Sequence, residues 1–157
     1  NGASTGDIFN LTGFSGFSSI VMIGLFRPLY DKMIRNSIKV SVFDKIKDDP
    51  EILSEEKQEA YIKKADCIIL SATTIFNNTF MDIINRSPEN CEIYLLGPST
   101  TLSPRMFAYK NVQKLFGMKF PEYRKTILER IQQGFGTPGF SRLAEKSGIS
   151  KYETDHV

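Results

Sequence analysis

The chain has 157 residues, 41% of them hydrophobic and 24% charged, with a formal net charge of +2. That length fits one domain, or one domain with a small extension, and the composition can bury a sizeable core. So small a charge argues against nucleic acid or an anionic membrane as partner. No apolar run approaches the ~20 residues of a membrane span, and a cytoplasmic protein is the simplest expectation.

Residues 1–18 are rich in Gly, Ser and Phe and read as a lead-in segment, ordered in part by Phe9, Phe14 and Phe17. The domain proper is expected over 19–136. Its first strand is the apolar run Ser19 to Leu25, continuous enough to be buried on both faces, as strands of parallel sheets are. Pro28 suits the first turn of a helix, and Leu29, Met33 and Ile34 recur at helical spacing up to Ser37. Ile38 to Asp44 alternates and makes a second strand. A charged surface helix follows over Glu55–Ala65. Asp66 to Ala72 is the third strand, and Thr73 to Thr79 a polar turn. Phe80, Ile83 and Ile84 mark the next helix, and Glu92 to Gly97 the fourth strand. Ser103-Pro104 reads as an N-cap and first helical residue. Leu115–Phe120 is a fifth strand. Pro121 opens a helix with Tyr123, Ile127, Leu128 and Ile131 on one face, which Gly134 ends. Residues 137–157 are expected to be a polar tail. Strands alternating with helices imply a Rossmann-like three-layer α/β sandwich with a mainly parallel five-stranded sheet.

In such sheets ligands bind beyond the carboxyl ends of the strands, near the switch in strand order. Four segments stand there. Gly24 opens the first, but the full G-x-G-x-x-G pattern is absent. Phe26 stands where a second glycine is wanted, and Pro28 removes an N–H donor. Arg27 is a candidate for an anion contact or a solvated arginine at a helix start. Asp44, about twenty residues after Gly24, is placed either to accept from ribose hydroxyls or to cap its own turn. Ser71-Ala72-Thr73-Thr74 with Asn77 offers hydroxyls and an amide to a polar ligand, or to the caps of the next helix. Gly97-Pro98-Ser99-Thr100-Thr101 runs into a helix start suited to an anion. This fourth loop is expected to lie near the reversal of strand order and to be the main ligand contact, with Ser99 and Thr100 as its donors.

Cys67 and Cys91 open different strands and read as buried, reduced thiols, and the single histidine, His156, lies in the tail. No metal site is expected within this chain, and no Ser-His-Asp set can be assembled.

The same segments resemble a known family. Val21-Met22-Ile23-Gly24 with Pro28-Leu29, Val42-Phe43-Asp44-Lys45, Ala65-Asp66, Ser71-Ala72-Thr73-Thr74 with Asn77 and Thr79, and Gly97-Pro98-Ser99-Thr100 with Leu102 and Pro104 are similar to the Rossmann-like domain of the "putative heavy-metal chelation" family. The resemblance runs from about Asp7 to about Gly136. One departure is Thr101, where proline is common in the family. The resemblance implies an additional enolase-amino-terminal-like domain, absent from this chain, with the site between the two. It implies a link to heavy-metal or metal-cofactor metabolism and names no cofactor. The expected function is therefore the binding of a small polar or anionic ligand. A nucleotide- or S-adenosylmethionine-dependent transferase, with Asp44 on the ribose, is the enzymatic alternative. A non-catalytic module that meets a partner domain is the other.

Overall fold

The computed structural model describes residues 4–5, 8–45, 48–120, 124–134 and 144–151. Seven strands form one sheet: β1 (Ser4–Thr5), β2 (Ile20–Ile23), β3 (Val40–Phe43), β4 (Cys67–Ser71), β5 (Glu92–Leu96), β6 (Val112–Lys119) and β7 (Glu145–Ser150), in the order β1-β7-β6-β5-β4-β2-β3. The run from β3 to β6 is parallel, and β7 and β1 join antiparallel at one edge. The five expected strands are thus the parallel part of the sheet. The sixth and seventh come from segments with no strand signature. Residues 145–150, expected as polar tail, pair with β6 from Lys119↔Glu145 to Lys114↔Ser150. β7 is second from the edge, flanked on its outer side by the two-residue β1, and only two of its six positions are buried, so it need not be apolar and hydropathy does not mark it.

All four residues of β2 are buried, as are Cys67 to Leu70 of β4. A parallel strand covered by helices on both faces must be apolar throughout. Each such Ile or Leu contributes about 1.5–3 kcal/mol when it leaves water. The sheet separates two cores. On one face α2 (Arg27–Arg35) packs Leu29, Tyr30 and Met33 with two residues of the lead-in segment, Ile8 of the short helix α1 (Ile8–Leu11) and Phe14. Phe14 and Phe17 both meet Tyr94 edge-on, so the lead-in is a layer of the sandwich. On the other face lie α3 (Gln58–Ile62) and α5 (Phe80–Arg86), with Ile62, Phe80, Ile83 and Ile84, joined by Phe107 from the 3-10 turn Pro104–Ala108. The crossover from β2 to β3 runs one way along the sheet, and those from β3 to β6 run the other way. Connections of one hand then fall on opposite faces.

The order of the parallel strands, taken in chain sequence, is 2-1-3-4-5. Its reversal lies between β2 and β4. The expectation that the loop after β5 would sit beside the reversal is therefore corrected: β5 and β6 both lie on the same side of it.

Local differences have local causes. Thr73–Phe76 forms a one-turn helix, α4, where a polar turn is expected. Ser103 does cap through its hydroxyl, which accepts from the Arg105 N–H at 3.4 Å, but the helix it opens is the five-residue 3-10 turn. In α6 (Arg124–Gln132) Ile127 is buried, whereas Leu128 and Ile131 are half exposed, so the expected apolar face packs through one residue of the three described. Tyr123 lies outside the described residues.

Candidate functional site

The pocket at the carboxyl ends of β2, β3 and β4 begins with a close approach between two strands. Gly24 has φ +92, and a Cβ on it would lie 2.8 Å from the Cβ of Ser71. A side chain is excluded both by backbone conformation and by space. This glycine therefore serves strand packing at the switch point. Its N–H donates to the Phe43 carbonyl at 2.8 Å, and the next N–H, of Leu25, donates to Asp44 Oδ2 at 2.7 Å. One oxygen of Asp44 is thereby committed to the turn after β2, whereas the capping alternative expected from the sequence concerned the turn that follows Asp44 itself.

Over this floor lies a cavity of about 600 Å³. Of the sequence candidates it brings together Gly24, Asp44, Thr73, Thr74 and Asn77; Arg27, Gly97, Ser99 and Thr100 are not among its lining residues. The hydroxyls are partly spent on local structure. Thr74 Oγ1 donates to the Ser71 carbonyl at 2.7 Å. Ser71 Oγ and Thr73 Oγ1 lie 2.8 Å apart and form a linked pair that stays open to the cavity. Asn77 is exposed at the end of α4.

The walls come from residues outside the four loop segments expected from the sequence. Glu55, Glu56 and Glu59 line the cavity, together with Asp82 and Arg86 of α5. Arg86 bridges them, 2.9 Å from Asp82 and 3.6 Å from Glu59. A hydrogen bond from Lys63, with the charges of Lys63 and Arg86, holds the Glu59 carboxyl below its usual range. Five carboxylates (Asp44, Glu55, Glu56, Glu59 and Asp82) face two cations, Lys45 and Arg86, among the described lining residues. A chain with a small positive net charge thus lines this cavity with acid. Nothing local marks Glu55 to Glu59 as a pocket wall, because their spacing is that of an ordinary charged helix.

Arg27 points its charge elsewhere. It pairs with Asp49, lies 3.9 Å from Asp31, and stacks its guanidinium 5.4 Å from the Tyr30 ring centre. The loop after β5 also turns away from the cavity. Gly97 (φ +139) lets the chain leave β5, its N–H bonding the Phe116 carbonyl at 3.1 Å. Ser99 is exposed, whereas Thr100 is buried at 7% exposure, and its hydroxyl has no hydrogen-bond partner among the described residues. The Thr100 carbonyl and the Leu102 side chain press on Gly117 of β6, where a Cβ would meet them at 3.0 and 3.2 Å.

Cys67 and Cys91 are free and buried, in the cores on opposite faces of the sheet. Burial, reinforced by neighbouring acids, pushes the Cys91 thiol up to about 12 and raises Cys67 further. Thiolate is the metal-binding form, so these side chains are poor donors. Asp66 is spent at the amino ends of the strands, where it accepts from the N–H groups of Ser18 and Ser19. Among the described residues no three His, Cys, Asp or Glu side chains are grouped to hold a metal ion. Hard carboxylates without a soft ligand do not suit a heavy-metal ion, so the described residues do not fit one. No helix of the described residues is long and apolar enough to cross a membrane.

Two solved structures share the architecture. A protein of unknown function from Pyrococcus horikoshii superposes with a TM-score of 0.82 at 25% identity, over 94% of this chain and 60% of its own. One from Desulfitobacterium hafniense DCB-2 gives 0.74 at 18% identity, over 90% and 57%. The chain therefore spans about three fifths of the length of these proteins. Both are described as members of the DUF364 family. No curated protein matches. Residues 7–149 match the model of that same family, whose description reads "Putative heavy-metal chelation", and the chain belongs to it.

Proposed function

We propose that this domain binds a small polar organic molecule in the cavity above the β2–β4 switch point. The observation that carries the reading is the coincidence of a cavity with that position: about 600 Å³ is the size of ordinary ligand sites, and the switch point is where open α/β sheets bind their ligands. The Ser71–Thr73 hydroxyl pair supplies hydrogen bonds at the floor. The acidic walls favour a neutral or positively charged ligand over an anion, since like charge in a cleft repels. A role in heavy-metal handling, which the family description names, would run through a small molecule seated there and not through a metal held by the two cysteines. A nucleotide-using transferase is the weaker reading, because one oxygen of Asp44 already accepts from the Leu25 N–H.

The non-catalytic reading keeps one observation in its favour. Phe76 of α4, 71% exposed, and Met81 of α5, 46% exposed, each stand one residue before a residue that lines the cavity, Asn77 and Asp82, and the solved relatives are longer than the part that this chain covers. A partner domain could complete the cavity's rim there. Native mass spectrometry followed by analysis of the denatured extract tests the binding reading. A small molecule retained by the protein and lost from Thr73→Trp, which fills the floor, is the expected result. Equal retention by that variant would move the site elsewhere.

A further inference from the structure

The wall of the cavity next to β3 is not part of a long element. β3 is the last strand of the sheet at that edge, and an edge strand presents unpaired backbone groups. Residues 48–53 cover it with little backbone pairing: the bridge is a single residue pair, Val42↔Ile52, with the Leu53 N–H donating to the Val42 carbonyl at 2.8 Å. Around the edge, Ile52 packs into the core on one face and Leu53 into the core on the other. Leu53 lines the cavity, and Glu55 and Glu56 line it two and three residues later. So the position of this short strap sets the position of the acidic wall.

What fixes the strap comes from α2. Arg27 and Tyr30 are three residues apart and so share a helix face. Arg27 pairs with Asp49, and the Tyr30 hydroxyl hydrogen-bonds the Glu51 carboxylate. Asp49 in turn accepts from the Glu51 N–H at 3.0 Å, which closes the turn between the two contacts. The Arg27 guanidinium over the Tyr30 ring joins both into one unit. Neither residue lines the cavity.

We infer that Arg27 and Tyr30 are positioning residues, a latch that holds the 48–53 strap and through it the acidic wall of the cavity; this rests on the ligand-site reading above. The test uses the full chain with Thr73→Cys as a reporter on the cavity floor, since Cys67 and Cys91 are buried. Arg27→Gln/Tyr30→Phe is compared with the parent by amide hydrogen exchange and by the rate at which a trimethylammonium-bearing methanethiosulfonate labels Cys at 73. The expected result is exchange of the Leu53 amide at least tenfold faster, unchanged exchange at Ile69 and Leu95, and labelling changed severalfold. Tyr30→Phe alone, which removes one hydroxyl, gives the same directions with smaller size if the double variant folds poorly. Arg27→Lys, which keeps the charge, is expected to recover part of the Leu53 protection. Unchanged Leu53 exchange would remove the latch. Faster exchange with unchanged labelling would show a merely structural clamp and overturn the positioning role. A thiol at 73 unreactive in every background would remove the ligand-site reading itself, and the inference with it.

Discussion

Two loops at the carboxyl edge of the sheet have nearly the same composition and opposite fates. The segment Ser71–Asn77 and the segment Gly97–Ser103 both follow a buried strand and both are rich in small hydroxyl residues. The first opens its Ser71–Thr73 pair into a cavity. The second folds down on β6, buries Thr100 and presses on Gly117. The difference is topological. β4 flanks the reversal of strand order, where crossovers diverge to opposite faces and leave a crevice, whereas β5 has its neighbours' connections on one face. A loop rich in Ser, Thr and Gly is first a loop that can turn and cap itself. Whether it is also a site depends on which strand precedes it.

The largest effect that would break this comparison is at the glycines. Gly24→Ala meets both a left-handed φ and the Ser71 Cβ at 2.8 Å, and should cost about 3 kcal/mol, strain and overpacking together. Gly117→Ala, which meets Thr100 and Leu102 at 3.0–3.3 Å without a positive φ, should cost about 1–2 kcal/mol. Urea unfolding of both variants checks the order, and a larger loss at Gly117 would mean that the loop after β5 is the tighter joint.

Smaller and sharper is the pair of threonines. Thr74 Oγ1 donates to the Ser71 carbonyl, so Thr74→Val should lose about 1 kcal/mol. Thr100→Val deletes a buried hydroxyl without a partner among the described residues and should be neutral or stabilising. Thermal unfolding of the two variants side by side decides it. An equal loss at Thr100 would mean that its hydroxyl has a partner, and would return the loop after β5 to the list of sites.

The smallest effect is the pH dependence of the latch. The Glu51 N–H, then Arg27, hold the Asp49 carboxyl below its usual range. A depressed carboxyl stabilises above its unfolded value, and that contribution fades as pH falls through the folded one. The Glu51 carboxylate beside it, with burial, pushes the Tyr30 hydroxyl up to about 12. A raised acid stabilises below its unfolded value near 10, about the ordinary one, and loses that contribution as pH rises toward 12. The melting-temperature gap between wild type and Tyr30→Phe should therefore hold at neutral pH and shrink above about 10. A gap constant to pH 12 would exclude the Tyr30–Glu51 contact.

Much of the fold is legible in the sequence. The parallel strands announce themselves because burial on both faces demands unbroken apolar runs, as in Ile20–Ile23 and Cys67–Leu70. The caps are legible too, since Ser103-Pro104 and Gly134 act within a turn of themselves. The candidate site is legible in half. Asp44, Thr73, Thr74 and Asn77 follow the carboxyl-edge rule. Arg27 follows it by position, but its charge is answered by Asp49, 22 residues away, a pairing that no local pattern encodes. The acidic wall is invisible for the same reason.

By itself, then, the sequence determined the five strands that run parallel between helices and that both cysteines are buried. These follow from local apolar periodicity and from the entropy of short connections. Tertiary structure alone decided the strand order, and with it the place of the crevice, because pairing β2 with β4 joins segments some 47 positions apart (Ile20↔Cys67) through backbone bonds that carry no side-chain signature. It also decided that a polar stretch ending the described chain, Glu145–Ser150, would be a strand. A strand of this kind, second from the edge, is made by the free hydrogen-bonding groups of its neighbour, here β6, more than by its own residues.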